Sequence, residues 1–152
     1  MFRITTTIAP PPTRVVQVEN QFGIKKLEVF SPVLLAVPTR KLPHPTPKDL
    51  DHFKCYRAKG SAINVKVDLK DQFQSQKSAA VLNPYLLCNP VVKIHNRVTT
   101  PILHPEAHLV CYKITIQPFV TRRQVVNQFG AAVLPMKDAD TLCVPSLKKI
   151  LA

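Results

Sequence analysis

The sequence predicts an all-β domain: three pseudo-equivalent β-repeats forming a barrel/trefoil-like or sandwich domain. Three observations predict it. Short period-two runs recur along the chain, proline stands at 15 residues against only 3 glycines, and one ordered set of residues returns three times. The chain has 152 residues, 45% hydrophobic and 20% charged, which suits one globular domain better than a disordered chain. Proline at about twice its usual share disfavours long helices, and scarce glycine disfavours a phosphate-cradling loop.

Self-similarity at a fixed period decides the architecture, so the repeat comes first. The third segment carries Cys111-Tyr112-Lys113-Ile114, Asn127-Gln128-Phe129 and Leu142-Cys143-Val144-Pro145 with Lys148. The second carries Cys55-Tyr56-Arg57-Ala58, Asp71-Gln72-Phe73 and Leu87-Cys88-Asn89-Pro90 with Lys93. The first carries Met1-Phe2-Arg3-Ile4, Asn20-Gln21-Phe22 and Leu35-Ala36-Val37-Pro38 with Lys41. From the opening residue to the Asn or Asp is 16 residues in the second and third segments and 19 in the first. The domain therefore divides into repeats 1–41, 52–93 and 108–149, inside one β domain spanning 1–152.

Each element follows from local pattern. Arg14-Val15-Val16-Gln17-Val18, Ile63-Asn64-Val65-Lys66-Val67-Asp68-Leu69, Tyr112-Lys113-Ile114-Thr115-Ile116 and Arg123-Gln124-Val125-Val126 read as strands, by alternation or by β-branching. Pro32, Pro84 and Pro135 interrupt the later half of each repeat and mark edges or turns. The proline-rich stretches 42–47 and 99–105 read as stiff connectors. Ser146-Leu147-Lys148-Lys149-Ile150-Leu151 is the one helical candidate. Phe22, Phe73 and Phe129 read as core anchors, each preceded by an Asn or Asp that caps a turn; Gly23 and Gly130 supply positive φ after two of them.

Four cysteines allow three pairings. The first repeat lacks both cysteines together, with Met1 and Ala36 in their places, so the repeat favours Cys55–Cys88 and Cys111–Cys143. Four buried thiols are the plain alternative. Zinc is weakly supported, because no Cys-x-x-Cys pair exists. Bridges would place the chain in an oxidising compartment: extracellular, cell surface or periplasmic.

The net charge of +12 points to acidic partners. Basic residues recur at matching places: Arg3, Arg57 and Lys113 after the aromatic, and Lys41, Lys93 and Lys148 after the proline. They are candidate anion or partner contacts, or else solvated strand faces that protect edges. No RNA-binding aromatic signature or DNA-reading helix accompanies them, so nucleic acid is not the expected partner. His44, His52, His104 and His108 recur near the start of the later repeats and read as inherited strand-opening residues, with no metal expected.

No nucleophile elbow or metalloprotease motif is present, and the acids Asp49, Asp51, Asp138 and Asp140 are scattered, so no catalytic residue and no cofactor is expected. No apolar run approaches the length of a membrane span, the longest being Val33-Leu34-Leu35-Ala36-Val37. The alternating start Met1-Phe2-Arg3-Ile4-Thr5-Thr6-Thr7-Ile8 is not a signal peptide.

The cadence Cys-Tyr-Lys at 111–113, Asn-Gln-Phe-Gly at 127–130 and Leu-Cys-Val-Pro-Ser-x-Lys at 142–148 resembles an uncharacterised repeat domain of bacterial secreted and cell-surface proteins. The resemblance spans 52–149; the first repeat departs from it by lacking both cysteines. It implies export and a non-catalytic role. The expected function is an extracellular structural or interaction module, a subunit of a larger assembly whose partners are other protein subunits or an acidic cell-surface polymer. The alternative is a lectin-like carbohydrate-binding module, which the absence of Trp weakens.

Overall fold

A computed structural model of the chain describes residues 2–3 and 14–151, without the side chains of Phe2, Arg3, Gln117 and Phe119. The described residues form strands β1 (Phe2–Arg3), β2 (Arg14–Asn20), β3 (Gly23–Ala36), β4 (Arg40–Lys41), β5 (His52–Lys59), β6 (Val65–Lys70), β7 (Ser75–Val91), β8 (Lys93–His95), β9 (Val98–Thr100), β10 (His108–Asn127) and β11 (Gly130–Ile150). They contain no helix. All but β8 and β9 belong to one large antiparallel sheet; those two form a separate small hairpin.

The sheet order runs β4, β10, β11, β2, β3, β5, β7, β6, and β10 pairs β7 as well as β11. The pairings of β2, β3, β5, β7, β10 and β11 therefore return on themselves in a circuit of six strands. The expected helix over Ser146–Leu151 is not found. Leu147–Ile150 instead continue β11 and pair with Val16–Glu19 of β2, because the ladder bonds offered by an open strand outweigh the local helix preference of a short Leu- and Lys-containing segment. The 99–105 connector is also partly ordered, since Thr99 and Thr100 end β9.

Period-two alternation sorts the apolar side chains onto two faces. One face collects Val16, Val18, Leu27, Val29, Ala58, Val81, Leu87, Val110, Tyr112, Ile114 and Val144, which come from all six strands of the circuit. The other face gathers Cys55, Leu86, Cys88 and Cys111, flanked by Phe53, Tyr85, Leu109 and Cys143. Strands buried on both faces read as continuous apolar runs, which accounts for Tyr85-Leu86-Leu87-Cys88.

Registers at corresponding positions coincide. Phe2 faces Leu35, Tyr56 faces Leu87 and Tyr112 faces Leu142. One step away, Cys55 faces Cys88 and Cys111 faces Cys143, and each pair is bonded. Between segments, β3 meets β5 with Leu34 opposite Cys55, Pro32 opposite Tyr56 and Val29 opposite Ala58. Similarly, β7 meets β10 with Leu86 opposite Cys111, Pro84 opposite Tyr112 and Val81 opposite Ile114. The ladder slips on either side of Pro32, and it slips at Pro84 too, since proline donates no ladder bond.

Gly60, the third glycine, follows β5 where there is no room for a side chain: a Cβ there would lie 2.6 Å from Leu27 Cδ2 and 2.9 Å from Pro84 Cγ.

Candidate functional site

The recurring Asn/Asp-Gln-Phe trio closes the turn between β2 and β3, between β6 and β7, and between β10 and β11. In each, a side-chain Oδ1 accepts the backbone N–H two residues on: Phe22 N donates to Asn20 at 2.9 Å, Phe73 N to Asp71 at 2.8 Å and Phe129 N to Asn127 at 2.8 Å. These are side-chain-capped turns of the Asx type. Gly23 and Gly130 follow at φ of 106° and 115°, a region that L side chains seldom enter.

Beyond the turn, the trios differ. The Asn20 amide donates to the Tyr112 hydroxyl at 2.8 Å and to Ser146 Oγ at 3.0 Å, whereas the Asn127 amide donates to Thr39 Oγ1 at 3.1 Å. A net hydrogen bond is worth about 1 kcal/mol. Asp71 Oδ1 also accepts the Gln74 N–H at 3.0 Å. Urea unfolding of the alanine variants is therefore expected to rank Asn20→Ala, which gives up three bonds, as the most damaging at about 2–3 kcal/mol, ahead of Asn127→Ala and Asp71→Ala, which give up two each.

The three phenylalanines are not equivalent core anchors, which corrects the sequence expectation. Phe22 is half-buried and meets the Tyr112 ring edge-on at 5.5 Å. Phe73 lies under two cations, Lys41 Nζ at 4.3 Å and the Arg123 guanidinium at 5.0 Å. Phe129 is 49% exposed and carries Lys93 Nζ at 5.4 Å with His95 edge-on at 5.7 Å. The Phe73 and Phe129 rings sit on turns, outside the faces that the sheet covers, so cations shield them instead of core packing.

The candidate basic residues are not gathered at one point. Lys41 and Lys93 each reach forward onto the turn phenylalanine of the next segment. Lys148 breaks that pattern: its ammonium donates to Asn89 Oδ1 at 2.8 Å. Arg57 lies 5.9 Å from the Phe30 ring and Lys113 4.0 Å from the Tyr85 ring, both on the exposed side. The Arg3 side chain lies outside the described residues.

Histidine, asparagine and lysine meet at one half-buried place. Asn89 Oδ1 takes the Lys148 ammonium and also lies 3.1 Å from His108 Nδ1. The corresponding His52 places Nε2 3.3 Å from Gln128 Oε1, and its Nδ1 is buried without a partner among the described residues. Asp51 is buried and accepts the backbone N–H groups of Leu103 and His104 at 2.6 and 2.8 Å, while His104 Nε2 lies 3.2 Å from the Asp49 carbonyl. His44 is exposed. Among the described residues, no three His, Cys, Asp or Glu side chains group as metal ligands.

Sequence reasoning missed an open cleft of about 550 Å³ between β11 and the loop before β10. Glu19, Glu106 and His104 line it together with Pro145 and Leu147. Its acids come from positions far apart in the chain, so no local pattern announces it.

The trio recurs at three turns, and two of the three segments carry a bonded cysteine pair in matching register. Residues 1–145 match a family model described as a repeat of unknown function, DUF7450. The chain belongs to that family. No curated protein and no solved structure matches it.

In this DUF7450 chain, the Asn89 cluster responds to pH. Burial pushes the Lys148 ammonium below its usual range. Burial first, and the neighbouring Lys148 charge second, hold the His108 imidazole below its ordinary 6.5. His108 therefore takes up protons more readily in the unfolded chain. Its contribution to stability is fully present above 6.5 and is lost as pH falls through the lowered folded value. The melting temperature of His108→Gln should accordingly fall less than that of the unaltered protein between neutral pH and about pH 5. A matched fall in both would show that other groups set the acid limb.

Proposed function

We propose that this chain is a non-catalytic structural and interaction module, built from three copies of one β unit closed into a six-stranded barrel. Following the registers once round the six strands returns to β3 about twelve residues from the start, a stagger that a closed barrel of this strand number accommodates. One observation carries the functional reading. The recurring residues act as joints: the cysteines bond strands within a unit, the Asn and Asp side chains hold turns, and Lys41 and Lys93 cover the phenylalanine of the following unit. Residues repeated for a ligand would instead converge on a shared concavity or leave equivalent polar groups open to solvent.

Two bridges among strands support an oxidising, extracellular or cell-surface setting. No helix of the described residues is long and apolar enough to cross a membrane. The charge of +12 favours an acidic partner surface.

The test is purification from the native source with thiols blocked at lysis. Recovery with both bridges formed and with a stoichiometric protein partner, or bound to an acidic surface polymer, fits the proposal. Recovery as a free thiol form would remove the compartment argument. A carbohydrate site is less well supported, because Tyr112 is buried and the Tyr85 ring is covered by Lys113 with its hydroxyl 2.6 Å from Thr141 Oγ1. Reproducible binding to one sugar class on a glycan array would reverse that preference.

A further inference from the structure

The open edge of β11 has the form of an acceptor for another copy of this chain. At both junctions between segments, the last strand of one unit receives the opening strand of the next, in matching register: β3 takes β5 and β7 takes β10. By sequence correspondence, Met136, Ala139 and Thr141 of β11 stand where Val81, Pro84 and Leu86 stand in β7. Among the described residues, nothing pairs with the outer edge of β11 from Gly130 to Ser146, and β2 takes up only Leu147–Ile150.

Burial marks the same gap. Val81, Leu86, Leu87 and Cys88 are at most 2% exposed under β10. Their counterparts Met136, Thr141, Leu142 and Cys143 are all partly exposed. An open ladder edge is a template for a further strand.

We propose that β11 accepts the opening strand of a second copy, Phe2–Arg3, so that copies join head to tail as units join within the chain. The proposal rests on the three-unit reading above and names the partner. Repeating the internal register sets Phe2 of one copy opposite Ala139 of the other, as Tyr56 faces Pro32 and Tyr112 faces Pro84. Charge supports this occupant. The edge carries exposed Asp138 and Asp140 beside Ala139, and every opening strand carries a base after its aromatic residue: Arg3, Arg57 or Lys113. In the proposed register Arg3 comes beside Asp138.

The experiment uses the full chain with its bridges intact. Sedimentation of the unaltered protein should show a mass that rises with concentration past the dimer, since a head-to-tail contact leaves an unused edge at each end of a dimer and growth goes on to a larger ring or a filament. The double variant D138K/D140K, altered only at exposed side chains, should lose that rise, and R3E should lose it too. Mixing the two should restore growth past the dimer, because the introduced glutamate then meets the lysine edge and Arg3 the aspartate edge. A mild-oxidation mixture of F2C and A139C chains should give a disulfide-linked dimer that neither gives alone. A139C linking to itself would mean that two β11 edges meet, and would overturn the proposal. An internal link in a dilute chain carrying both substitutions would mean that the chain's own opening strand fills the edge, which overturns it equally. A protein that stays monomeric at every concentration also overturns it. If that monomer still captured an acidic partner, the interaction-module reading would survive alone.

Discussion

Reduction of both bridges is expected to unfold the protein at ambient temperature. Each bridge spans a sequence separation of 33 or 32 residues, and by the loop-entropy relation each removes about 3–4 kcal/mol of unfolded-state freedom. Together that is comparable with the whole stability of an ordinary domain, about 5–15 kcal/mol. Cys55, Cys88 and Cys111 also lie fully buried in the smaller of the two apolar clusters, so paired Cys→Ala variants lose packing as well as the cross-link. Removing either bridge alone should leave a folded but weakened chain. The check is circular dichroism and urea midpoint for three forms: oxidised, each paired alanine variant, and fully reduced. A fully reduced chain as stable as the oxidised one would show that the sheet stands on packing alone.

Tyr112→Ala should be the most costly single core change, at about 3–5 kcal/mol. Tyr112 is 1% exposed and touches all three segments. Phe22 meets its ring, Asn20 donates to its hydroxyl, and Pro84 and Leu142 face it across two ladders. Truncation opens a cavity where the segments meet and leaves the Asn20 amide with Ser146 alone. Tyr112→Phe keeps the volume and should cost about 1 kcal/mol, the worth of one hydrogen bond. Burial raises the Tyr112 hydroxyl above its ordinary 10.0, against the opposing effect of the Asn20 hydrogen bond, so this phenol should ionise only at more alkaline pH than a free tyrosine. Equal losses for the two variants would place its importance in the hydroxyl, not the ring.

Much of this fold is legible in the sequence, for a physical reason. The turn of Asn20, Asp71 or Asn127 is fixed by a bond spanning two residues, so its signal is wholly local. The bonded cysteines are readable because a bridge needs both partners, so the first segment lacks both at once. Contacts between segments leave no such trace. Nothing near Phe73 announces that Lys41 and Arg123 come to cover it, and nothing near Phe129 announces its exposure. The tail from Ser146 misleads for the same reason. Its strand state is decided by β2, more than a hundred positions earlier in the chain, where tertiary pairing overrides local preference. The six bases recur visibly, yet the sequence does not show that Lys41, Arg57, Lys93 and Lys113 lie by aromatic rings while Lys148 reaches Asn89, because a ring beside a cation is a fact of three dimensions.

The circuit closes through only four residue pairs, Leu147 with Glu19 to Ile150 with Val16. Every other neighbouring pair of its six strands is joined by at least five such pairs, and neither bridge spans this closure. It is therefore a clasp: the narrowest and least reinforced place in the ring, fastened by strands from opposite ends of the sequence. Thermal opening should begin there and leave the stapled remainder as a curved, still-assembled ribbon.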